Sequence, residues 1–193
     1  GFISMSISPE IYLDMDGVCV DFIGAAMKTQ GYDADQMLKG WRNEHPGSLY
    51  PEPLMDKTAT EFFTHSNMQT SEFWSGLIAY SWFEHLYEEL GRLGHVVFLT
   101  APTGAPGCVS GKLEWLIGHF GSGFTDFIFT RHKDRLAHPN AYLVDDMPFN
   151  IEPFIARNGV GVLFPQIWNE LAHIEEPVSH VITTLEAEIG RRQ

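Results

Sequence analysis

Five short apolar runs constrain this chain most: Ile11–Leu13, Val96–Leu99, Phe127–Phe129, Tyr142–Val144 and Val160–Phe164. None alternates apolar with polar residues, so none suits a sheet with one wet face. Unbroken runs of this length fit strands covered on both sides, as in a parallel sheet. The segments between them carry helical stripes. Phe83, Leu86, Tyr87, Leu90 and Leu93 form one, which Gly91 and Gly94 are expected to end. Leu113, Leu116, Ile117 and Phe120 form another, with Gly121 at its end. Strands alternating with helices predict an α/β fold: a Rossmann-like parallel sheet flanked by helices.

Residues 23–77 break this rhythm. They hold Trp41, Phe62, Phe63, Phe73, Trp74 and the turn Pro51-Glu52-Pro53, but no clear buried strand. About 55 residues is too long for an ordinary strand-to-helix loop. The expected division is therefore a catalytic core of residues 8–22 and 78–193, with a small helical cap, 23–77, inserted after the first strand. Such a cap would sit over the carboxyl ends of the strands, where open α/β sheets bind ligands.

Those strand ends carry the chemistry. Asp14 and Asp16 directly follow the first run, two residues apart, so in extended backbone they point the same way. A second acidic pair, Asp145–Asp146, follows Ala141–Val144. An Asp after a strand is commonly only a turn residue, and one pair alone would say little. Two pairs on neighbouring strands would gather four carboxylates at one edge, which calls for a hard divalent cation with oxygen ligands, Mg²⁺ being the common choice. Thr100 ends the run Val96–Leu99 and offers a hydroxyl and backbone N–H groups at the same edge. A lysine is wanted there to offset the acids and hold a phosphoryl oxygen. Lys133, in Thr130-Arg131-His132-Lys133, is preferred over Lys112, which opens the Leu113–Phe120 stripe.

Charge and composition exclude several classes. A formal net charge of −13 over 193 residues argues against a nucleic acid polymer, whose recognition leans on Lys and Arg. It leaves room for a small phosphorylated substrate beside a metal and a lysine. The two cysteines, Cys19 and Cys108, form no CxxC pair, which fits a reducing, cytoplasmic compartment. The nine histidines are scattered without a ligand spacing and are read mostly as surface or supporting residues. No run approaches the roughly 20 apolar residues of a membrane span. The first residues lack the pattern of a signal peptide, and Met5 is the expected native start.

Taken in order, Asp14-Met15-Asp16-Gly17, Thr100, Lys133 and Asp145-Asp146 resemble the four motifs of the haloacid dehalogenase superfamily of phosphatases. The chain is more closely similar to its 5′(3′)-deoxyribonucleotidase branch. Asp21-Phe22 soon after the first motif, Phe73-Trp74 closing the cap, and the Thr-Arg-x-Lys lead-in at residues 130–133 all match that branch. Two positions depart from it: Ala101 stands where the branch has Ser in Thr-Ser-Pro, and Met147 follows the acidic pair in place of a basic residue.

The resemblance implies a mechanism. Asp14 would be the nucleophile, forming an aspartyl-phosphate, and Asp16 the acid and then the base. Mg²⁺ would be held by Asp14, the Asp16 carbonyl and Asp146, with Asp145 in support. Thr100, Ala101 and Lys133 would bind the phosphate. Phe22, Trp41 and Trp74 are candidate substrate-binding residues that could stack a nucleobase, although an insertion of this size must also bury aromatics as its own core. The function expected is Mg²⁺-dependent hydrolysis of (deoxyribo)nucleoside monophosphates. The alternatives are another small phosphomonoester, such as a sugar phosphate, or a catalytically silent nucleotide-binding module. The expected partners are a small nucleotide and no membrane, with a homodimer as a candidate assembly.

Overall fold

A computed structural model of the chain describes residues 7–193. The expectation about Met5 and the N-terminal residues lies outside them. Five strands form one all-parallel sheet: β1 (Glu10–Leu13), β2 (His95–Thr100), β3 (Phe127–Phe129), β4 (Ala141–Asp145) and β5 (Val160–Leu163). Their spatial order is β3-β2-β1-β4-β5, so β1 lies between the strands that end at Thr100 and at Asp145. Leu13 is in register with Phe98 on one side and Val144 on the other.

Alternate side chains of the strands enter different cores, as the pleat requires. Ile11, Leu13, Phe98, Tyr142, Val144 and Val162 join one apolar cluster with the helices α5 (Phe83–Leu93), α6 (Pro106–Phe120) and α8 (Pro177–Arg192). Tyr12, Leu99 and Leu143 pack instead with Ile151 and Phe154 of α7 (Pro148–Ala156). Covering both faces is what the unbroken apolar runs demand. Only β3, at the sheet edge, is half-buried throughout. Two details of the helices differ from expectation. Gly91 lies within α5, and Gly94 alone ends it, since the Leu86, Leu90 and Phe83 contacts carry the helix through one glycine. In α6 the buried face is Cys108, Gly111, Lys112, Trp115 and Leu116, whereas Ile117 is exposed.

The inserted stretch is helical. It contains α1 (Phe22–Thr29), α2 (Ala34–Glu44), α3 (Ala59–Phe63) and α4 (Ser71–Ser75), with 3₁₀ turns at Glu52–Leu54 and Ser66–Met68. Asp21 caps α1 by accepting a hydrogen bond from Gly24 N, which gives this residue a structural job one turn beyond the acidic loop. Ile23, Met27, Trp41, Phe62 and Met68 form a second core, which also takes Ile167 and Trp168 from the segment after β5. Its last helix, α4, packs on α6. A Cβ at Gly111 would stand 2.5 Å from Ser71 O, so the close approach depends on that glycine. Among the described residues, no helix is long and apolar enough to cross a membrane.

Candidate active site

The centre forms because three neighbouring parallel strands end together. Asp14 extends β1, its N–H donating to Val144 O at 3.0 Å. The chain then turns sharply: the N–H groups of Val18, Cys19 and Val20 all converge on Met15 O. Gly17 supplies the left-handed residue this turn needs, with φ +80°. The result brings Asp16 back toward β2, facing Thr100 and α6.

Two lysines, not one, answer the acids. Lys133 is 3% exposed, and its Nζ donates to Asp14 Oδ1 at 2.9 Å and to Asp145 Oδ2 at 2.7 Å. Burial works to lower the Lys133 pKa, but Asp14 and Asp145 outweigh it and hold it above the ordinary range. Lys112 is 1% exposed and donates to Asp16 Oδ2 at 2.9 Å, to Thr100 Oγ1 at 2.5 Å and to Ala101 O at 3.3 Å. Its ammonium also lies 5.1 Å from the centroid of the Trp74 ring, a cation–π contact. The sequence reading treated the two lysines as rivals; the structure divides the acids between them. The available signal was a lysine at helical spacing between Cys108 and Trp115, inside the buried face of α6.

Four carboxylates, once ionised, would leave two negative charges uncompensated against two ammoniums. Asp14, Asp145 and Asp146 each offer an oxygen within 4.8 Å of the others'. Asp16 Oδ1 and Asp146 Oδ1 are buried with no hydrogen-bond partner. Orphaned buried carboxylate oxygens are costly, and a divalent cation held by Asp14, Asp145 and Asp146 would satisfy Asp146 Oδ1 and offset the excess charge, whereas Asp16 Oδ1 lies outside that group of three. The donor set, all oxygen, suits a hard cation. Burial raises the pKa of Asp16 despite Lys112, raises Asp145 to about 6, and holds Asp146 well above the ordinary carboxylate range.

The segment after β5 supports this arrangement, and nothing in the sequence pattern marked it. Trp168 Nε1 donates to Asp146 Oδ2 at 2.8 Å, Asn169 Nδ2 to Asp146 O at 2.9 Å, and Gln166 Nε2 to Gly17 O at 2.7 Å. From α7, Asn150 Nδ2 reaches both oxygens of Asp145, at 3.3 and 3.2 Å.

Beside the acids lies a cavity of about 60 Å³, lined by Asp16, Gly17 and Asp146 and otherwise by apolar side chains, including Phe22, Trp41, Leu49, Phe63 and Trp168. Of the three aromatic candidates, Phe22 and Trp41 therefore border it. Trp74 does not: it stacks behind Phe22, with ring centroids 5.1 Å apart, and faces Lys112. Phe63 is also a wall of a larger recess of about 380 Å³ between residues 63–69 and the loop Thr103–Pro106. A further recess, about 550 Å³, opens elsewhere, past Arg42, Gln166 and His173, and contains none of the four acids.

The sequence model of the family described as "5′ nucleotidase, deoxy (Pyrimidine), cytosolic type C protein" matches residues 8–180. No curated protein matches the chain by sequence. Among solved structures, the chain is similar to a haloacid dehalogenase-like family hydrolase from Xanthomonas campestris, with a TM-score of 0.59 at 14% identity, covering 100% of this chain and 98% of that one. It is also similar to the HAD-hydrolase YfnB from Bacillus subtilis, which was solved bound to magnesium; the TM-score is 0.50 at 11% identity, over 82% of this chain and 87% of that one. At such identities these likenesses speak to the fold.

Proposed function

The chain belongs to the 5′ nucleotidase, deoxy (pyrimidine), cytosolic type C family and is a phosphoric monoester hydrolase; on that footing we propose that it dephosphorylates deoxyribonucleoside monophosphates with Mg²⁺. The observation that carries this reading is the pairing of acids and lysines at one sheet edge, with Asp14–Lys133 and Asp16–Lys112 side by side.

Asp14 is the proposed nucleophile. Lys133 holds its Oδ1, which leaves Oδ2 for in-line attack on phosphorus and formation of an aspartyl-phosphate. Asp16 protonates the departing alkoxide and later takes a proton from the water that cleaves the intermediate. Its raised pKa supports the first of these roles, and Lys112 fixes the carboxyl by one oxygen while Oδ1 stays unpartnered. Lys133, Lys112 and the backbone at Thr100 and Ala101 are proposed to steady the phosphoryl oxygens. Mg²⁺, when bound by Asp14, Asp146 and the Asp16 backbone with Asp145 in support, supplies positive charge to the phosphoryl group. Magnesium in the Bacillus subtilis neighbour is in keeping with this choice of ion.

We read residues 23–77 as a cap on a core of 8–22 and 78–193, and the cap as the source of selectivity. The cavity beside the acids is walled almost wholly by apolar groups, Phe22 and Trp41 among them. Burying an unpaired hydroxyl there would cost about 1–3 kcal/mol, which disfavours a polyhydroxylated sugar phosphate against a deoxyribose. At about 60 Å³ it admits only part of a nucleoside, and the base is proposed to pass Phe63 into the 380 Å³ recess, a volume within the range of ligand sites of about 300–1,000 Å³. The word cytosolic in the family's description, together with two buried free thiols, supports a cytoplasmic setting.

A panel of nucleoside monophosphates and sugar phosphates, with and without Mg²⁺, tests the proposal. Deoxyribonucleotides should lead and turnover should need the metal. Sugar phosphates outpacing every nucleotide would overturn the substrate reading, and full turnover in chelator would overturn the metal.

A further inference from the structure

Asp146 is gripped by the segment after β5 in an asymmetric way. Its Oδ2 accepts from Trp168 Nε1 at 2.8 Å, whereas its Oδ1 is buried without any partner. Its backbone is fixed as well, since Asn169 Nδ2 donates to Asp146 O at 2.9 Å and to Phe164 O at 2.8 Å. We infer that Trp168 is a positioning residue for the cation site: the indole N–H pins Oδ2 and thereby presents Oδ1 to the metal. The inference rests on the metal reading given above and extends it to a residue outside the acidic motifs.

The chemistry of the side chain suits the task. An indole N–H is a donor only and cannot reverse its role, so it occupies one carboxylate oxygen and leaves the other to a cation. The ring itself is buried and held from two sides. Trp168 is 5% exposed, packs against Trp41 with centroids 5.8 Å apart, and lies against the Gly17 backbone, where an added Cβ would come within 2.9 Å of Trp168 Cζ2. A ring so confined gives its N–H one direction. Without it, the Asp146 carboxylate could rotate about its terminal torsion, and the cation would have to fix that rotation itself. Groups that orient metal ligands in this way are typically worth about 10–100-fold in affinity.

The competing account is that Trp168 only fills the cap core, in company with Ile167. The two accounts part on the N–H, which contributes nothing to filling space. Mg²⁺ titrated calorimetrically into the full chain, wild type against Trp168→Phe, reads the difference without recourse to turnover. Metal-free melting curves of both proteins monitor packing. A second variant keeps the shape: benzothienylalanine at position 168, in which sulfur replaces the N–H. We expect both variants to bind Mg²⁺ about 10–100-fold more weakly, with the benzothienyl protein melting near the wild type in the absence of metal. Wild-type affinity in the benzothienyl protein would overturn the inference while leaving the metal reading intact. No saturable Mg²⁺ binding in the wild type would overturn both.

Discussion

Gly17 occupies the tightest point of the centre. Its φ is +80°, and a Cβ there would stand 2.2 Å from Asp146 Oδ2, inside any tolerable contact. Gly17→Ala therefore combines backbone strain of about 1–3 kcal/mol with displacement of a carboxylate the centre needs. It should melt lower and lose hydrolysis; unchanged melting and unchanged rates would contradict the geometry. Lys133 makes a separable prediction. Lys133→Met leaves Asp14 and Asp145 facing each other in the interior without their shared cation, a loss of about 3–5 kcal/mol for a buried pair broken on one side. Denaturant titration of the metal-free protein should record it. Lys112→Met removes the partner of Asp16 and should cut kcat by about 10²–10³-fold. The cut should be smaller for an aryl phosphate, whose leaving group needs little protonation; equal losses on aryl and alkyl esters would remove Asp16 from the explanation.

The elements were legible where one physical signal dominates. Parallel strands buried on both faces must be apolar throughout, and each of the five runs became a strand within a residue or so at its ends. The acidic strand ends were legible because two pairs, each directly after such a run, outweigh the turn reading that either pair alone invites. Lys112 was harder. Its place depends on the rotational setting of α6, and the stripe read from Leu113, Leu116, Ile117 and Phe120 caught the buried Leu116 but included the exposed Ile117 and missed Cys108, Lys112 and Trp115 on the same buried face. Trp168, Asn169 and Gln166 were illegible, since they act from an irregular segment with no period to betray their direction. The α4–α6 contact was hidden in glycines. At Gly111 a Cβ would meet Ser71 O at 2.5 Å and Trp74 Cβ at 2.6 Å. Gly111→Ala should push α4 outward and lower stability by about 1–3 kcal/mol. Because Trp74 rides on α4 and touches both Phe22 and Lys112, the same variant should also slow turnover. Full activity in a destabilised Gly111→Ala protein would separate the helix contact from the site.

At the scale of the whole molecule, the centre sets stability against function. Burial raises the pKa of Asp145 to about 6, and those of Asp16 and Asp146 are also raised. The folded chain thus binds these protons more tightly than the unfolded one, so metal-free stability is greatest at acid pH within this window and falls as pH rises through about 6. Lys133, with its pKa held above the ordinary lysine range, stays charged throughout and contributes a constant amount. Melting without metal should therefore be higher near about pH 5.5 than near about pH 7.5. Mg²⁺, which needs ionised carboxylates, should raise melting more at the higher pH. A metal-free protein that grows steadily more stable toward pH 7.5 would contradict the account of the buried acids. All of this converges on Asp14, the carboxylate at the end of the central strand. The most direct test is phosphate release from a deoxyribonucleoside monophosphate with Mg²⁺, by the wild type and by Asp14→Asn side by side. The account predicts steady turnover by the first and a fall of at least about 10³-fold in the second. An Asp14→Asn protein working within about tenfold of the wild type would contradict it.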